Sequence, residues 1–325
     1  MSAATFDPNL SLSATAVVLE RPESLVVKTL DLTPPGAEDA VVDIHYSGIS
    51  TGTERLLWMG RMPSFPGMGY PLVPGYESVG KVIWAGADSG RCVDEFVFVP
   101  GARCYGEVNG LFGGAASRVV IPGVRLVPIS ESLGEQAVLL ALAATAYHAV
   151  FHLSEDLGKT LVVGHGVLGR LLARIIVAKK GPHSVTVWER NPERASGALG
   201  YTVLDPDADD CKQYKTILDV SGDSTILDTL IAHLAPQGEV VLAGFYSQPL
   251  SFHFPPAFMR EARLRVAAEW RETDIKAVKA LLADESLSLE GLITHRMPID
   301  KADRAYRTAF GDPACLKMIL DWRSM

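Results

Sequence analysis

A glycine-rich turn is the clearest chemical feature of the sequence. The residues Gly164, His165, Gly166, Val167, Leu168 and Gly169 have the spacing G-x-G-x-x-G and lie between the apolar stretch KTLVV and the helical stretch VLGRLLARIIVAKKG. In such a turn the first glycine permits a tight bend, the second lets the backbone approach a pyrophosphate, and the third permits close packing of helix on strand. The motif predicts a dinucleotide site, and a glycine turn without a ligand is the alternative. Within the turn, His165 is expected to pack over the cofactor and to take no part in the chemistry.

Residues at the ends of the neighbouring strands indicate which dinucleotide is expected. Glu189 ends the strand VTVWE twenty positions after the last glycine of the turn, where a carboxylate accepts hydrogen bonds from the adenosine ribose and repels a 2′-phosphate. Glu189 therefore predicts NAD, whereas Arg190 leaves NADP open, because an arginine can accommodate that phosphate. Ser221, Gly244 and Phe245 follow later strands and are expected near the nicotinamide, although simple turns are an equal interpretation.

The elements that must position these residues are of two kinds. Residues 15–130 contain short Val/Ile-rich runs separated by glycine and proline, which predicts a compact β barrel. A long apolar run at 137–153 predicts a buried helix that joins two domains. The later segments alternate between strand and helix, which predicts a doubly wound parallel sheet. The expected domains are residues 1–140, with a C-terminal return at 290–325, and residues 141–289.

Composition narrows the class of protein. The chain has 325 residues, is 48% hydrophobic and carries a formal net charge of −8. These values are ordinary for a globular protein and argue against a nucleic-acid partner, which requires clustered basic residues. The N-terminus lacks a basic, apolar leader and no run of about 18 apolar residues occurs, so we expect a cytoplasmic protein without membrane insertion. The cysteines form no C-x-x-C pair and are expected to be reduced: Cys92, Cys104, Cys211 and Cys315.

The segments SGISTGTE (47–54) and PGYESVG (74–80) carry a resemblance to the medium-chain dehydrogenase/reductase superfamily. The segment 47–54, SGISTGTE, is similar to the superfamily motif G-I-C-G-T-D, with Ser50 where the cysteine zinc ligand stands. The segment 74–80, PGYESVG, is similar to P-G-H-E-x-x-G, with Tyr76 in place of the histidine ligand. The third ligand position falls on Ala141. The resemblance covers the whole chain and implies an α/β protein with a GroES-like β-barrel domain followed by a Rossmann dinucleotide-binding domain.

The replaced ligands bear on metal chemistry. A catalytic zinc needs about three nitrogen or sulfur donors from the protein, which serine, tyrosine and alanine do not supply. The cysteine-rich lobe that holds a structural zinc in many members is also missing, because only Cys92 and Cys104 lie in that region. We therefore expect no metal.

A closer resemblance is carried by longer phrases spread over the chain. The phrases GISTGTE, FPGMGYPLVPGYE, VGHGVLGRLLAR, FPPAFMREARLR and ACLKMILDW are similar to the bacteriochlorophyllide a dehydrogenases of bacteriochlorophyll biosynthesis, a pathway of photosynthesis. This resemblance implies oxidation of the 3-(1-hydroxyethyl) group of a bacteriochlorophyllide to 3-acetyl, with NAD as hydride acceptor. The residues alone indicate only an NAD-linked oxidoreductase.

Without a metal, the proton of the alcohol must pass to side chains. Ser50, Thr53 and Tyr76 lie on the two motif segments, together with Thr51, and we hypothesise that their hydroxyls relay that proton. Tyr76 would serve best if a positive neighbour lowered its pKa from about 10. Glu77, and with it Glu54, would set the local potential or orient the relay; the alternative is that these glutamates are solvated or salt-bridged, as is usual near strand ends. The alternative is that Tyr76 only fills the space of the missing metal and histidine.

A flat macrocyclic substrate requires an apolar pocket. Residues Trp58, Phe65, Met68 and Tyr70 belong to the Gly/Pro-rich run LLWMGRMPSFPGMGYP, which is apolar enough to form a lid over such a substrate. Packing against their own barrel or against a second subunit is an equal interpretation. Members of the superfamily are commonly dimers or tetramers, so we expect a homo-oligomer.

The sequence leaves two other functions open. One is a zinc-free quinone or enoyl reductase that uses NADPH, against which Glu189 argues. The other is a nucleotide-binding redox sensor without turnover, since a fold does not fix a function. His148 and His152 have the i, i+4 spacing of metal ligands, but the sequence offers no third ligand near them.

Overall fold

A computed structural model describes residues 12–64, 67–151 and 158–324 of the chain. The strands are β1 (Ser13–Arg21), β2 (Ser24–Asp31), β3 (Asp39–Ile49), β4 (Leu72–Val73), β5 (Ser78–Ala85), β6 (Phe96–Val99), β7 (Asn109–Gly110), β8 (Arg118–Pro122), β9 (Val127–Pro128), β10 (Thr160–Val163), β11 (Val185–Trp188), β12 (Thr202–Leu204), β13 (Tyr214–Asp219), β14 (Leu234–Leu242), β15 (Arg263–Val266), β16 (His295–Pro298) and β17 (Met318–Asp321). The α-helices are α1 (Thr53–Trp58), α2 (Leu140–Phe151), α3 (Val167–Lys180), α4 (Leu227–His233), α5 (Phe254–Met259), α6 (Glu272–Ala283) and α7 (Ala302–Gly311). Short 3₁₀ segments lie at Gly123–Arg125, Glu131–Leu139, Pro192–Arg194, Pro206–Ala208 and Ile299–Lys301.

The chain forms two compact units. Unit 1 consists of Met1–Leu140 and Ile293–Met325, and unit 2 consists of Ala141–Leu292.

Unit 1 is built from two mostly antiparallel sheets. One has the strand order β2-β1-β4-β7 and the other has the order β16-β17-β3-β5-β6-β9, with β8 paired to β3. The strand β3 pairs with β5, β8 and β17 and is almost wholly buried. Because its sequence is rich in valine and isoleucine, it suits a central strand, and it ends directly before Ser50.

Unit 2 contains a six-stranded sheet whose strands are all parallel, in the order β12-β11-β10-β13-β14-β15. The four residues of β10 are all buried, as expected for a strand covered on both faces. The helix α3 follows β10, carries Lys179 and Lys180 in its last turn and ends at Gly181 with φ 87°, which is a favourable helix terminus. The predicted fold class, a β-rich domain with a doubly wound domain, is therefore confirmed.

One segment of the described residues, Glu131–Phe151, is long and apolar enough to cross a membrane by length and composition alone. However, 61% of its apolar window is buried inside the protein. The segment also bends at Gly134, whose φ is 50° and ψ is −129°. These properties are those of core helices in a folded protein.

Candidate active site

The glycine turn of unit 2 joins β10 to α3, as predicted. Gly164 has φ 103°, a conformation that favours glycine. A Cβ atom at Gly169 would lie 1.8 Å from the carbonyl oxygen of Gly164, so the helix approaches the turn too closely for any side chain. At Gly166, by contrast, a Cβ would meet no atom within 4 Å. The turn therefore leaves open space at the N-terminus of α3, where Val167 and Leu168 begin the helix and a phosphate is favoured.

The Glu189 carboxylate lies at the carboxyl end of β11 and reaches back to the glycine turn. Its Oε2 accepts a hydrogen bond from the backbone N–H of His165 at 3.1 Å, and its Oε1 accepts one from the N–H of Asn191 at 2.8 Å. These two bonds fix the carboxylate at the turn, where the ribose of a dinucleotide is expected. Arg190 is exposed and pairs with Asp207 at 3.4 Å.

His165 differs from its predicted place over the cofactor. Its ring is fully buried, with Nδ1 2.6 Å from the carbonyl oxygen of Arg194 and Nε2 2.8 Å from the hydroxyl of Tyr201. Burial lowers the pKa of His165 to about 4, so the ring is neutral. The guanidinium of Arg170 donates to the carbonyl oxygens of His165, Arg194 and Ser196. The imidazole therefore supports the turn from inside the protein, because both of its ring nitrogens are held by hydrogen bonds there.

The carboxyl ends of β13 and β14 bring Ser221, Gly244 and Phe245 to the same edge of the sheet. The buried carboxylate of Asp219, which ends β13, accepts hydrogen bonds from the N–H of Ser221 at 3.0 Å and from the hydroxyl of Tyr246 at 2.6 Å. Burial raises the pKa of Asp219. The side chain of Phe245 is half exposed. Asp219 and Tyr246 were not predicted, although an acidic residue at a strand end was a usable signal.

A hydroxyl cluster lies in unit 1, at the end of β3 and the start of α1. Ser50 Oγ is 2.7 Å from the hydroxyl of Tyr76, which donates to Thr53 Oγ1 at 3.4 Å. Three of the side chains predicted to form the relay are thus in contact. The ring of Phe112 packs edge-on against Tyr76, with 5.1 Å between the ring centroids.

Tyr76 does not have the lowered pKa that would suit it as a proton acceptor. Burial raises the pKa of Tyr76 above its ordinary value, and the charges of Glu77 and Glu54 raise it further. The hydrogen bonds of Tyr76 with Ser50 and Thr53 lower its pKa by less than burial raises it. Tyr76 is therefore protonated in the resting protein and is not a resident base.

Two buried carboxylates lie beside these hydroxyls. Glu54 is fully buried, and its Oε1 accepts from the N–H of Ser50 at 3.0 Å while its Oε2 accepts from the Tyr306 hydroxyl at 2.7 Å. Burial raises the pKa of Glu54 to about 7. Glu77 is also fully buried and pairs with the ammonium of Lys317 at 2.6 Å.

Sequence reasoning missed Lys317 and Tyr306. Lys317 directly precedes the apolar strand MIL and lies in the run CLKMIL, whose other residues are all apolar. A charged residue within an apolar run near a strand was a signal that it is paired inside the protein. Tyr306 lies on α7 and had no such signal, because a buried tyrosine is ordinary.

The residues at the positions of the missing zinc ligands do not suit that metal. Ser50 and Tyr76 are hydrogen-bonded to each other, and Ala141, in unit 2, has no donor atom. In residues 12–64, 67–151 and 158–324 there is no group of three His, Cys, Asp or Glu side chains that could hold a metal ion. The Lys317 ammonium beside Glu77 also repels a second cation.

The predicted lid residues pack against their own unit. Trp58 ends α1 and is 6% exposed, with its ring next to those of Tyr306 and Phe310. Met68 and Tyr70 are half-buried against the same core, and the hydroxyl of Tyr70 donates to the carbonyl of Leu57. The assignment of Trp58 to a substrate pocket is thus corrected, because α1 extends further than the Gly/Pro-rich run indicated. Phe65 lies outside the described residues.

His148 and His45 do not belong to the hydroxyl cluster. His148 Nδ1 lies 2.8 Å from Asp274 Oδ2 within unit 2, and His152 lies outside the described residues. His45, on β3, lines a separate cavity of 560 Å³ with Asp43, Arg118 and Arg323.

Solved structures of dehydrogenases share this fold over nearly the whole chain. The 2R,3R-butanediol dehydrogenase of Bacillus subtilis has a TM-score of 0.82 and 18% identity, covering 95% of this chain and 99% of that chain. A structure described as a short chain alcohol dehydrogenase of Escherichia coli, complexed with NADH, has a TM-score of 0.80 and 22% identity, covering 95% of this chain and 99% of that chain. The fold is that of medium-chain alcohol dehydrogenases.

Sequence comparison narrows the class further. The 2-desacetyl-2-hydroxyethyl bacteriochlorophyllide A dehydrogenase of Rhodobacter capsulatus is 53% identical over 308 residues, which cover 94% of this chain and 98% of that protein. The protein of the same name from Cereibacter sphaeroides is 52% identical over 318 residues, covering 96% and 99%. No family model matches the sequence. The chain belongs to the family of 2-desacetyl-2-hydroxyethyl bacteriochlorophyllide A dehydrogenases.

Proposed function

We propose that the protein oxidises the 3-(1-hydroxyethyl) group of a bacteriochlorophyllide to 3-acetyl, with NAD and without a catalytic zinc. The substrate follows from the relatives at 52% and 53% identity, whose names specify a hydroxyethyl bacteriochlorophyllide. The metal-free chemistry depends on one observation, the 2.7 Å contact of Ser50 and Tyr76 where the superfamily has zinc ligands. We place the reaction in the cytoplasm.

The cofactor proposal depends on unit 2. The open space at Gly166 and the fixed carboxylate of Glu189 suit a pyrophosphate and an unphosphorylated ribose. The pairing of Arg190 with Asp207 also draws that cation away from a 2′-phosphate, which favours NAD over NADP. Bound NAD would accept the hydride released from the alcohol carbon.

The protein's own side chains handle the proton. The alcohol loses its O–H proton as its C–H electron pair leaves, so an oxygen acceptor must lie near. In the proposed reaction the alcohol hydrogen-bonds to Ser50, and its proton passes along the Ser50–Tyr76–Thr53 hydroxyls toward solvent. Tyr76 gives up its own proton as it receives one, which its raised pKa permits only in a concerted relay.

Purified protein can test this proposal directly. After chelator treatment, NAD and a 3-(1-hydroxyethyl) bacteriochlorophyllide are expected to give NADH and the spectral shift of the acetyl product together. Loss of turnover that only zinc restores contradicts the metal-free part. Binding of NAD without turnover instead favours a sensor, and turnover with NADPH on a conjugated acceptor favours a reductase.

Two variants test the relay. Tyr76→Phe and Thr53→Val are each expected to lower kcat about 10²-fold, the usual scale of a lost proton-transfer group. Tyr147→Phe removes a hydroxyl from α2 in unit 2 and is the matched control. Near-normal rates in both relay variants would show that Tyr76 only fills space.

We also propose that the protein is a homo-oligomer that buries the edge of the unit 2 sheet. The strand β15 is the sheet edge and exposes Val266 to 72%, and Phe254, Phe258 and Met259 of α5 are similarly exposed. Open strand edges with apolar side chains are covered in stable proteins. Val266→Lys is expected to lower the mass measured by sedimentation, and a monomeric wild type would refute this proposal.

A further inference from the structure

A fully buried ion pair lies at the Ser50 end of β3. Lys317 Nζ is 2.6 Å from Glu77 Oε2, and the two side chains are 1% and 0% exposed. Lys317 also donates to the carbonyl oxygen of Ile49 at 3.3 Å. Removing two charges from water usually costs as much as their attraction returns, so an apolar pair would stabilise the fold equally well. Stability alone therefore does not account for the pair.

The two groups that accept hydrogen bonds from the Lys317 ammonium belong to residues adjacent in sequence to Ser50 and Tyr76. Ile49, whose carbonyl accepts from Lys317, directly precedes Ser50, and Glu77 directly follows Tyr76. The positive charge is thus fixed on the two segments that carry the residues replacing metal ligands, one position along the chain from each. In an interior of low dielectric constant, such a charge acts strongly on its neighbours.

One carboxylate oxygen of the Glu77–Lys317 pair is an unsatisfied hydrogen-bond acceptor. Glu77 Oε1 is buried and has no hydrogen-bond partner among the residues that the structure describes. A Cβ atom at Gly48 would lie 2.4 Å from Glu77 Oε2, so the carboxylate occupies space that only glycine leaves free. An ion pair kept for packing alone would have its acceptors satisfied.

The titratable groups around the pair come from three elements. Glu54 lies on α1, Tyr306 on α7, and Tyr76 and Glu77 on the segment before β5. Lys317 is the cation of this cluster, which otherwise contains two carboxyls and two phenols. Its charge lowers the pKa of Glu54, whereas the charge of Glu77 raises it. The net charge of the cluster is −1 when Glu54 and Glu77 are both ionised and Lys317 is protonated. It is zero when Glu54 is protonated.

We propose that Lys317 is a positioning residue of the dehydrogenase reaction, whose fixed positive charge beside Ser50 and Tyr76 favours loss of the alcohol proton, as a metal ion does in other dehydrogenases. This inference rests on the proposed function. The ammonium does not take up the proton; it stabilises the negative charge that develops on the hydroxyl oxygens as the proton leaves. Glu77 holds it in place, and Ile49 anchors it from the backbone.

Three variants separate this role from a merely structural one. Lys317→Met with Glu77→Gln removes both charges, keeps the side-chain volumes and leaves no unpaired charge. Lys317→Met alone leaves Glu77 unpaired, and Lys317→Arg keeps the positive charge. The measurements are kcat and KM for NAD from about pH 5 to pH 10, with urea unfolding to compare stability.

The expected results concern the pH profile. In the double variant the acid limb of log kcat shifts little, because loss of the Glu77 charge, which raises the pKa of Tyr76, acts against loss of the Lys317 charge. In Lys317→Met alone the acid limb moves to higher pH by about one to three units, the usual effect of losing an opposite charge at this range. At neutral pH, kcat then falls tenfold or more, while KM for NAD stays within about twofold, because the predicted NAD site lies in unit 2. Lys317→Arg is expected to keep the acid limb within about half a unit of wild type.

Several outcomes would overturn the inference. A folded Lys317→Met variant with the kcat and pH profile of wild type would show that the pair serves packing only. If both Met variants unfold, Lys317→Arg decides, because a shifted acid limb with the charge retained contradicts the proposal. Absence of turnover in wild type would refute the proposed function itself, which is a different result from normal turnover in the variants.

Discussion

The substitution Glu54→Gln tests whether burial raises the pKa of the Glu54 carboxyl, because its effect on the free energy of unfolding then depends on pH. The Glu54 carboxyl is fully buried, and burial raises its pKa from 4.5 to about 7. The unfolded chain therefore loses this proton at lower pH than the folded protein does. It follows that wild-type stability falls as pH rises from 4.5 to 7, and that the full cost is present above pH 7.

The size of the effect follows from the pKa. A change from 4.5 to about 7 corresponds to about 3 kcal/mol of penalty for the ionised form. Glutamine is neutral at every pH and does not incur this penalty. It keeps one acceptor for Tyr306 or for the N–H of Ser50, and the lost second bond costs about 1 kcal/mol regardless of pH. Glu54→Gln should thus be slightly destabilising at pH 5 and stabilising by about 2 kcal/mol at pH 8.5.

Urea unfolding of the full chain, followed by tryptophan fluorescence, measures this difference. Trp58 lies in the core of unit 1 and reports its unfolding. The difference between variant and wild type is expected to change by about 2 to 3 kcal/mol between pH 5 and pH 8.5. Glu38→Gln, at an exposed carboxylate of the same unit, is the control and should show no such change. A difference that stays constant with pH would show that Glu54 titrates normally.

Other predictions concern the dinucleotide site of unit 2. Gly169→Ala is expected to raise the Kd for NAD more than tenfold in calorimetry, since its Cβ would lie 1.8 Å from a carbonyl oxygen; Gly311→Ala, which meets no atom within 4 Å, is the control. Glu189→Gln should raise the Kd for NAD and lower the ratio of the Kd for NADP to the Kd for NAD by about tenfold. An unchanged ratio would argue against a contact of Glu189 with the ribose. Asp207→Ala releases Arg190 and should improve NADP affinity a few-fold, an effect that must fade at high salt if it is electrostatic.

The fold and the nucleotide turn were accessible from sequence because their signals are local. The glycines of the turn, the apolar strand before it and the acidic residue that ends the next strand lie within about thirty residues. Ser50 and Tyr76 were associated only through the motif resemblance, and the structure places their oxygens 2.7 Å apart. The dinucleotide role of Glu189 stays a prediction, although its carboxylate does reach the turn.

What could not be predicted depends on distant pairing. Lys317 meets Glu77 across 240 positions of the chain, and no periodicity in either segment indicates its partner. Trp58 was assigned to a lid because it begins a Gly/Pro-rich run, yet its contacts with α7 residues bury it. His165 was placed over the cofactor because of its position in the motif, and the hydroxyl of Tyr201 instead holds its ring inside.

The division of unit 1 between the two ends of the sequence has a consequence for biosynthesis. The carbonyl of Ile49 and the ammonium of Lys317 are separated by 268 positions, and β17, which borders β3, follows Lys317. At roughly 5 to 20 residues per second on a ribosome, β3 waits on the order of 15 to 50 s for that neighbour. Unit 2 is continuous in sequence and can fold during this interval. The nascent protein is therefore expected to need chaperone protection of the exposed margin of β3, and arrested chains that end near residue 300 should bind such chaperones more strongly than the released protein.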